Sequence, residues 1–269
     1  MGRSKIDFSR FISLQPFWAA EKLKKQIIIS SETGRESAIV YDLCCDKSVL
    51  DCVPGIGLIG IIFSEDPQVP RTMCFGTLDA PKKVPLFGMK KSLMCHFFPG
   101  EFARIFGIPC NVLTNKEIPL DDLIAVGPIA KEILEADSFE TRVNSVRQLI
   151  KTYEHRTKAS DTHLLAQGLM GEILQKNGGV RVRELEESTG YSARYLQRIL
   201  SENVGLSPKV VSENVRFQNV LRMMYENPQL SLTEMAHQGG FYDQAHFSKV
   251  FKKYVELSPS VFLENIKAF

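Results

Sequence analysis

Residues 190–208 read GYSARYLQRILSENVGLSP, and residues 240–259 read GFYDQAHFSKVFKKYVELSP. Placed one under the other, the two Leu-Ser-Pro endings align, Leu196 falls on Phe247 and Leu200 falls on Phe251. Each stretch follows a short amphipathic run that begins at Val182 in one copy and at Ser231 in the other. The chain therefore repeats a unit at a period of roughly 50 residues, the mark of a duplicated supersecondary element.

Each copy reads as a short helix, a sharp turn and a second helix. Gly190 and Gly240 stand at the turns, where glycine tolerates positive φ. Ser192 and Asp243 are natural N-caps for the second helices. In the first of these, Leu196, Ile199, Leu200 and Val204 share the inward face, and Arg194, Gln197, Arg198 and Ser201 point away. In the second, Phe247, Val250, Phe251 and Tyr254 face inward. Gln244, Ala245, Ser248, Lys249, Lys252 and Lys253 lie on or near its outer face. That outer chemistry suits the major groove of DNA. Arginine donates two hydrogen bonds to guanine, and glutamine pairs in bidentate fashion with adenine. Lys252 and Lys253 suit phosphates, which position a protein without specifying a sequence. Any one such side chain on an outer helix face is ordinarily just solvated; the repeated frame gives the set its meaning.

Between the copies, Pro208 to Met224 carries helical periodicity through Val211, Val215, Phe217, Leu221 and Met224. Pro208 fits a first turn, and Asn227-Pro228 ends the run. A helix of about 17 residues spans ~25 Å. With a packed unit at each end, it holds two recognition helices about one DNA turn apart, or ~34 Å.

The first half differs. Its apolar runs are short: Gln26–Ile29, Ala38–Cys44, Ile56–Phe63 and Leu93–Phe98. Prolines, glycines and serines punctuate them, as in a mainly antiparallel sheet or barrel. Glu101–Phe106 reads as a short helix closed by Gly107, and Asp121 or Asp122 as the cap of another before Gly127-Pro128. From Ile129 onward the period is helical, with Phe139, Val143, Val146 and Ile150 on one stripe and Leu164, Leu165, Leu169, Ile173 and Leu174 on the next. Asn177-Gly178-Gly179 ends that second helix, and Asp161 caps its start. The polar stretch 155–160 marks a boundary.

The reading is an α+β chain: residues 1–130 a β-rich, sensor-like domain for effector binding or dimerisation, residues 131–160 a helical linker, and residues 161–269 an all-helical DNA-binding domain of two helix-turn-helix units joined by a linker helix. Lys+Arg against Asp+Glu is 18 against 18 over residues 1–150 and 15 against 13 over the rest. The nucleic-acid surface must then be a local patch rather than a field of the whole molecule. No uninterrupted apolar stretch of about 18 residues is present, and Met1 to Arg10 lacks the apolar core of a signal peptide, so a cytoplasmic protein without a membrane partner is expected. The cysteines at 44, 45, 52, 74, 95 and 110 are expected to be reduced. They form no CxxC pair; a zinc site from Cys44, Cys45, Cys52 and His96 is conceivable but lacks the tight paired spacing of structural sites.

Over about residues 161–269 the sequence resembles the AraC/XylS family of bacterial transcription regulators, most specifically at residues 190–198 and 235–253. Arg216 matches an arginine typical of the family's linker helix. The resemblance implies one chain binding an asymmetric promoter site through two unequal helix-turn-helix units. It places base-contacting roles on Arg194, Gln197 and Arg198, and on Gln244, Ala245, Ser248 and Lys249. Ala245 offers only apolar contact, and Glu256 stands where the family often has glycine, as Gly205 does in the first copy. Phe75-Gly-Thr, the stretch from Cys95 to Pro109, Leu113-Thr-Asn and the stretch from Ile118 to Leu123 resemble the amino-terminal domain of one branch of these regulators. The acidic residues that usually precede its apolar strand are missing from residues 54–63. By this analogy the expected partners are double-stranded promoter DNA, a small-molecule effector whose site residues are unknown, RNA polymerase and a second copy of the chain. Activation is the expected output, with repression left open, and no cofactor is expected.

Two rival readings belong to other classes. One is an enzyme, or a metal- or redox-sensing β-domain, with His96 or a cysteine in its pocket. No nucleophile elbow, P-loop, HExxH or dinucleotide fingerprint is present. Cys95 and His96 are strand neighbours that point to opposite faces. The other is an interaction module whose helices bind an acidic protein. Trp18, Phe63, Phe97 and Phe98 either line an effector pocket or fill the core.

Overall fold

The computed structural model describes residues 26–30, 34–43, 49–52, 55–65, 71–85, 92–154 and 161–267. Its first part forms strands β1 (Gln26–Ser30), β2 (Glu36–Leu43), β3 (Val49–Cys52), β4 (Ile59–Ser64), β5 (Thr72–Phe75), β6 (Lys82–Pro85), β7 (Ser92–Phe97) and β8 (Glu117–Pro119). Six of them make one antiparallel sheet in the order β1-β2-β7-β4-β5-β8, and β3 pairs with β6 in a separate ribbon. Helix α1 (Glu101–Phe106) follows, closed by Gly107 in the left-handed conformation. Asp121 and Asp122 do not cap a helix. They lie inside a single 3-10 turn, and α2 (Gly127–Glu135) starts at Gly127 with Pro128 in its first turn. Helix α3 (Phe139–Glu154) completes this part.

The central strands β2, β4 and β7 read as continuous apolar runs because both faces of the sheet are covered there. Side chains alternate along a strand, so Val40, Ile61, Cys74 and Cys95 face one way and Ile39, Tyr41, Ile62 and Met94 the other. The first set packs with Phe102, Ile105 and Phe106 of α1, Ile133 of α2, and Val143, Val146, Leu149 and Ile150 of α3. Helices α2 and α3, the second of them within residues 131–160 expected as a helical linker, contribute their apolar faces to the core of the sheet. Phe63, Phe97 and Phe98 are fully buried packing residues, and Trp18 lies outside the described residues.

The opposite face of the sheet is covered by the second half of the chain. Helix α4 (Asp161–Gln175), α5 (Val182–Thr189), α6 (Ala193–Val204) and the start of α7 (Pro208–Glu226) place Ala166, Leu169, Leu185, Leu196, Leu200 and Val211 in one cluster with Ile39, Tyr41, Ile62 and Met94. The buried stripe of α4 is His163, Ala166, Leu169, Met170, Ile173 and Leu174, whereas Leu164 is 48% exposed. The apolar stripe expected from the sequence was rotated there, because a histidine occupies a buried place. The remaining part of α7 packs with α8 (Leu232–Gln238), α9 (Gln244–Val255) and α10 (Pro259–Lys267) in a third cluster built on Phe217, Met235, Phe247, Phe251 and Phe262. Helix α7, 19 residues long, therefore belongs to two cores.

A buried ionic cluster ties the sheet side to α4. Glu101 is fully buried. It accepts from Arg104 at 2.7 and 2.9 Å and from Gln167 at 3.1 Å, with His163 Nε2 at 3.4 Å. Burial alone would raise its carboxyl, but the bonds from His163 and Arg104 outweigh that and hold it below the usual carboxylate range. Arg104 also reaches Glu154 at 2.7 Å. A buried charge is tolerable only when paired in this way.

Candidate nucleic-acid interface

The first helix-turn-helix unit is α5, the turn at Gly190 (φ 75°) and α6. Ser192 caps α6 by accepting from the backbone of Tyr195 at 3.4 Å, and Glu186 accepts from the Ala193 amide at 2.6 Å. The second unit is α8, the turn at Gly240 (φ 72°) and α9. Ser231 and Glu234 form a reciprocal capping box on α8, and Asp243 accepts from the His246 amide at 2.6 Å to start α9. These local bonds satisfy amides that a helix start leaves without partners, and they fix where each second helix begins.

That fixing decides which side chains are presented. Arg194, Gln197 and Arg198 are exposed on α6; Gln244, Ala245, Lys249, Lys252 and Lys253 are exposed on α9. Ser248 is half-buried. Two of the polar ends are already engaged within the chain. Gln244 accepts from the Thr233 hydroxyl of α8 at 2.8 Å, and Arg198 Nη1 donates to both carboxylate oxygens of Glu202 at 3.1 and 3.2 Å. The Lys253 ammonium lies 5.3 Å from the Tyr254 ring, against the buried flank of α9.

Several surface residues around these helices escaped the reading of the sequence. Tyr242, just before the cap of α9, is 93% exposed. Tyr191 and Tyr195 stack at 4.8 Å between ring centroids, and the Arg198 guanidinium lies 5.0 Å from the Tyr195 ring. The spacing 195, 198, 202 is a helical stripe that Tyr191 extends from just before the N-cap, which is the signal that could have revealed it.

The far end of α6 and an early turn of α7 are held by the sheet domain. The last carbonyls of a helix lack intrahelical donors. On α6, Cys110 Sγ donates to the Asn203 carbonyl at 3.0 Å and Thr114 Oγ1 donates to the Gly205 carbonyl at 2.7 Å. Asn214, in that early turn of α7, donates to the Gly55 carbonyl at 3.0 Å and accepts from the Tyr254 hydroxyl at 3.2 Å. One buried amide thus joins the sheet domain to the second recognition helix.

The residues of the rival readings lie elsewhere. His96 is on the sheet face opposite Cys95, with the Tyr41 hydroxyl 2.9 Å from its Nδ1 and Gly60 leaving room for its ring. Burial pulls its pKa down to about 4. Burial pushes the Cys74 thiol up to about 12 and raises Cys95 and Cys110 as well, which leaves these thiols poor nucleophiles. Cys44 and Cys45 lie outside the described residues. Among the described residues no group of three or more His, Cys, Asp and Glu side chains is placed to hold a metal ion, and no helix is long and apolar enough to cross a membrane.

A family of helix-turn-helix domains matches residues 185–265. The chain is 32% identical over 94 residues to the probable transcription factor PqrA of Proteus vulgaris, a match covering 34% of this chain and 75% of PqrA. It belongs to the AraC/XylS family of transcriptional regulators. The match to a second relative of this AraC/XylS protein, the Msm operon regulatory protein of Streptococcus mutans, extends into the sheet domain: 26% identity over 228 residues, 78% of this chain and 73% of that one. Among solved structures, the crystal structure of ToxT from Vibrio cholerae is similar with a TM-score of 0.41 and 13% identity, over 86% of this chain and 98% of ToxT. As a member of this family of helix-turn-helix regulators, the AraC/XylS protein is a DNA-binding transcription regulator.

Proposed function

We propose that the chain grips one asymmetric duplex site with both units, α6 and α9 entering successive major grooves. Arg194, Gln197, Arg198, Gln244, Ala245, Ser248 and Lys249 meet base edges, and Lys252 and Lys253 meet phosphates. One observation carries this reading: α6 and α9 each bury one face in a separate core of the same helix, α7, and leave exposed the N-terminal turns that usually enter a groove. The test is selection of bound duplexes from a random-sequence pool, followed by footprinting. The expected result is two protected blocks about one helical turn apart in an unsymmetric site. A single short block would remove one unit from the reading.

We further propose that a small molecule bound by the sheet domain alters DNA affinity, and that this domain extends to residue 154. The support is the continuous apolar cluster shared by the sheet and the first unit, together with the bonds that tie Cys110 and Thr114 to the end of α6 and Gly55 to the linker helix α7. An effector acts only if it binds two arrangements with different affinity, and these contacts are what two arrangements would exchange. Truncation to residues 161–269 is a poor test, since it strips the sheet from that cluster. The whole chain should be screened with metabolites by thermal shift, and each stabilising compound then assayed for its effect on DNA affinity. Stabilisation without any change in DNA binding would defeat the control reading.

A second copy of the chain and RNA polymerase remain proposed partners. Ile27 and Ile28, 37% and 39% exposed on β1, the outermost strand among the described residues, favour pairing between copies. Sedimentation of the free protein distinguishes monomer from dimer.

A further inference from the structure

The stripe Tyr191, Tyr195, Arg198, Glu202 is repeated in the second unit only at its start, where Tyr242 stands for Tyr191. Counting back from the aligned prolines Pro208 and Pro259, the counterparts of Tyr195, Arg198 and Glu202 are His246, Lys249 and Lys253. A carboxylate in the first helix is replaced by an ammonium in the second. In the first, the Arg198 guanidinium lies against the Tyr195 ring at 5.0 Å and puts one nitrogen on both oxygens of Glu202. Both partners are open to water, with side chains 52% and 37% exposed, so the pair is easily displaced.

We propose that Glu202 is an intramolecular competitor for Arg198 and thereby sets how strongly the first recognition helix discriminates at one base pair. The proposal rests on Arg198 as a base reader. The acceptors Glu202 offers are matched by guanine, which presents O6 and N7 to the same guanidinium. On a guanine-bearing site, Arg198 gives up the carboxylate for the base. On a site with another base there, Arg198 returns to Glu202, and the cost of the mismatch is reduced by the worth of that pair. Glu202 thus weakens binding to the best site and softens the penalty at poorer ones. The second helix, with Lys253 at the corresponding place, has no such restraint and adds cationic attraction on every sequence.

Glu202→Gln should tighten binding to the best duplex enriched from a random pool, by up to about fivefold for a pair of this exposure. It should tighten binding less to the duplex changed at the base pair read by Arg198, so discrimination there increases. Removing a negative charge also favours all DNA, and the Arg198→Ala background measures that part alone. The experiment is a cycle of wild type, Glu202→Gln, Arg198→Ala and the double variant of the full chain. Each is titrated with the enriched duplex and with its single-base variants, and far-ultraviolet circular dichroism checks the helices. A larger gain from Glu202→Gln with Arg198 present than without it supports the competitor. An equal gain in both backgrounds overturns it while leaving Arg198 as a reader. Weaker binding by Glu202→Gln also overturns it and makes the carboxylate a direct DNA contact, one that accepts from a donor such as cytosine N4. If Arg198→Ala leaves base preference unchanged at every position, the base-reading role itself is wrong and the competitor falls with it.

Discussion

Glu256 ends the second recognition helix at φ 64°, in the same left-handed conformation that Gly205 gives the first at φ 87°. A side chain at Cβ makes that conformation costly, and glycine avoids the cost. Glu256→Gly should therefore raise stability by roughly 1 kcal/mol, the relief of the left-handed penalty less the greater freedom that glycine loses on folding. Gly205→Ala should lower it by more, because its new Cβ would also collide with the Thr77 hydroxyl. Urea midpoints at a constant slope report both changes; a loss of stability in Glu256→Gly would contradict the backbone account.

Asn214 is the buried amide between the two halves. Asn214→Ala removes its bonds to the Gly55 carbonyl and the Tyr254 hydroxyl at once, and should cost about 1–3 kcal/mol. Tyr254→Phe removes one of the two and should cost about 1 kcal/mol. If the two variants were equally stable, the bond to Gly55 would contribute nothing.

Stability should decline with acid in two overlapping ranges. His96 is held near pKa 4 by burial, below an unfolded value of about 6.5. Between these values the unfolded chain takes a proton that the native ring refuses, so stability falls as pH drops from about 6.5 to about 4, by roughly 1–3 kcal/mol. Glu101, held below the usual carboxylate range, adds stability above its unfolded value that is lost as pH falls through its native one. His96→Gln should flatten the upper range and leave the lower. Denaturant titrations at several pH values between 4 and 7 provide the check, and an unchanged slope in the variant would exclude His96 as its source.

Arg198→Ala and Lys252→Ala should separate reading from anchoring. Arg198→Ala should cost on the order of 1–3 kcal/mol on the best site and relax preference at one base. Lys252 sits late in α9, away from the turns that enter the groove most deeply. Its loss should weaken all sequences about equally and flatten the salt dependence by roughly one unit. Both side chains are exposed, so thermal midpoints should hold. Binding isotherms at several salt concentrations on single-base variants decide; the reverse pattern would mean that the helices lie on DNA in another orientation.

What the amino-acid sequence determined by itself was local. A glycine before Ser192 or Asp243, an apolar residue every three or four positions and a proline after each Leu-Ser pair placed α5 to α9 with their outer faces, because each signal acts within a turn or two of the chain. The short strands and the Gly107 stop were legible for the same reason. What only the tertiary structure decided depends on residues far apart in the chain. Glu101 meets His163 and Gln167, Cys110 meets Asn203, and Gly55 meets Asn214. No periodicity encodes such pairs, so the sequence could not tell that α2 and α3 close one face of the sheet while the first helix-turn-helix unit closes the other. The hold of Glu202 on Arg198 lies between the two cases. Its spacing was visible, but a charge four residues from another on a helix becomes a restraint only when the geometry brings the carboxylate to the guanidinium.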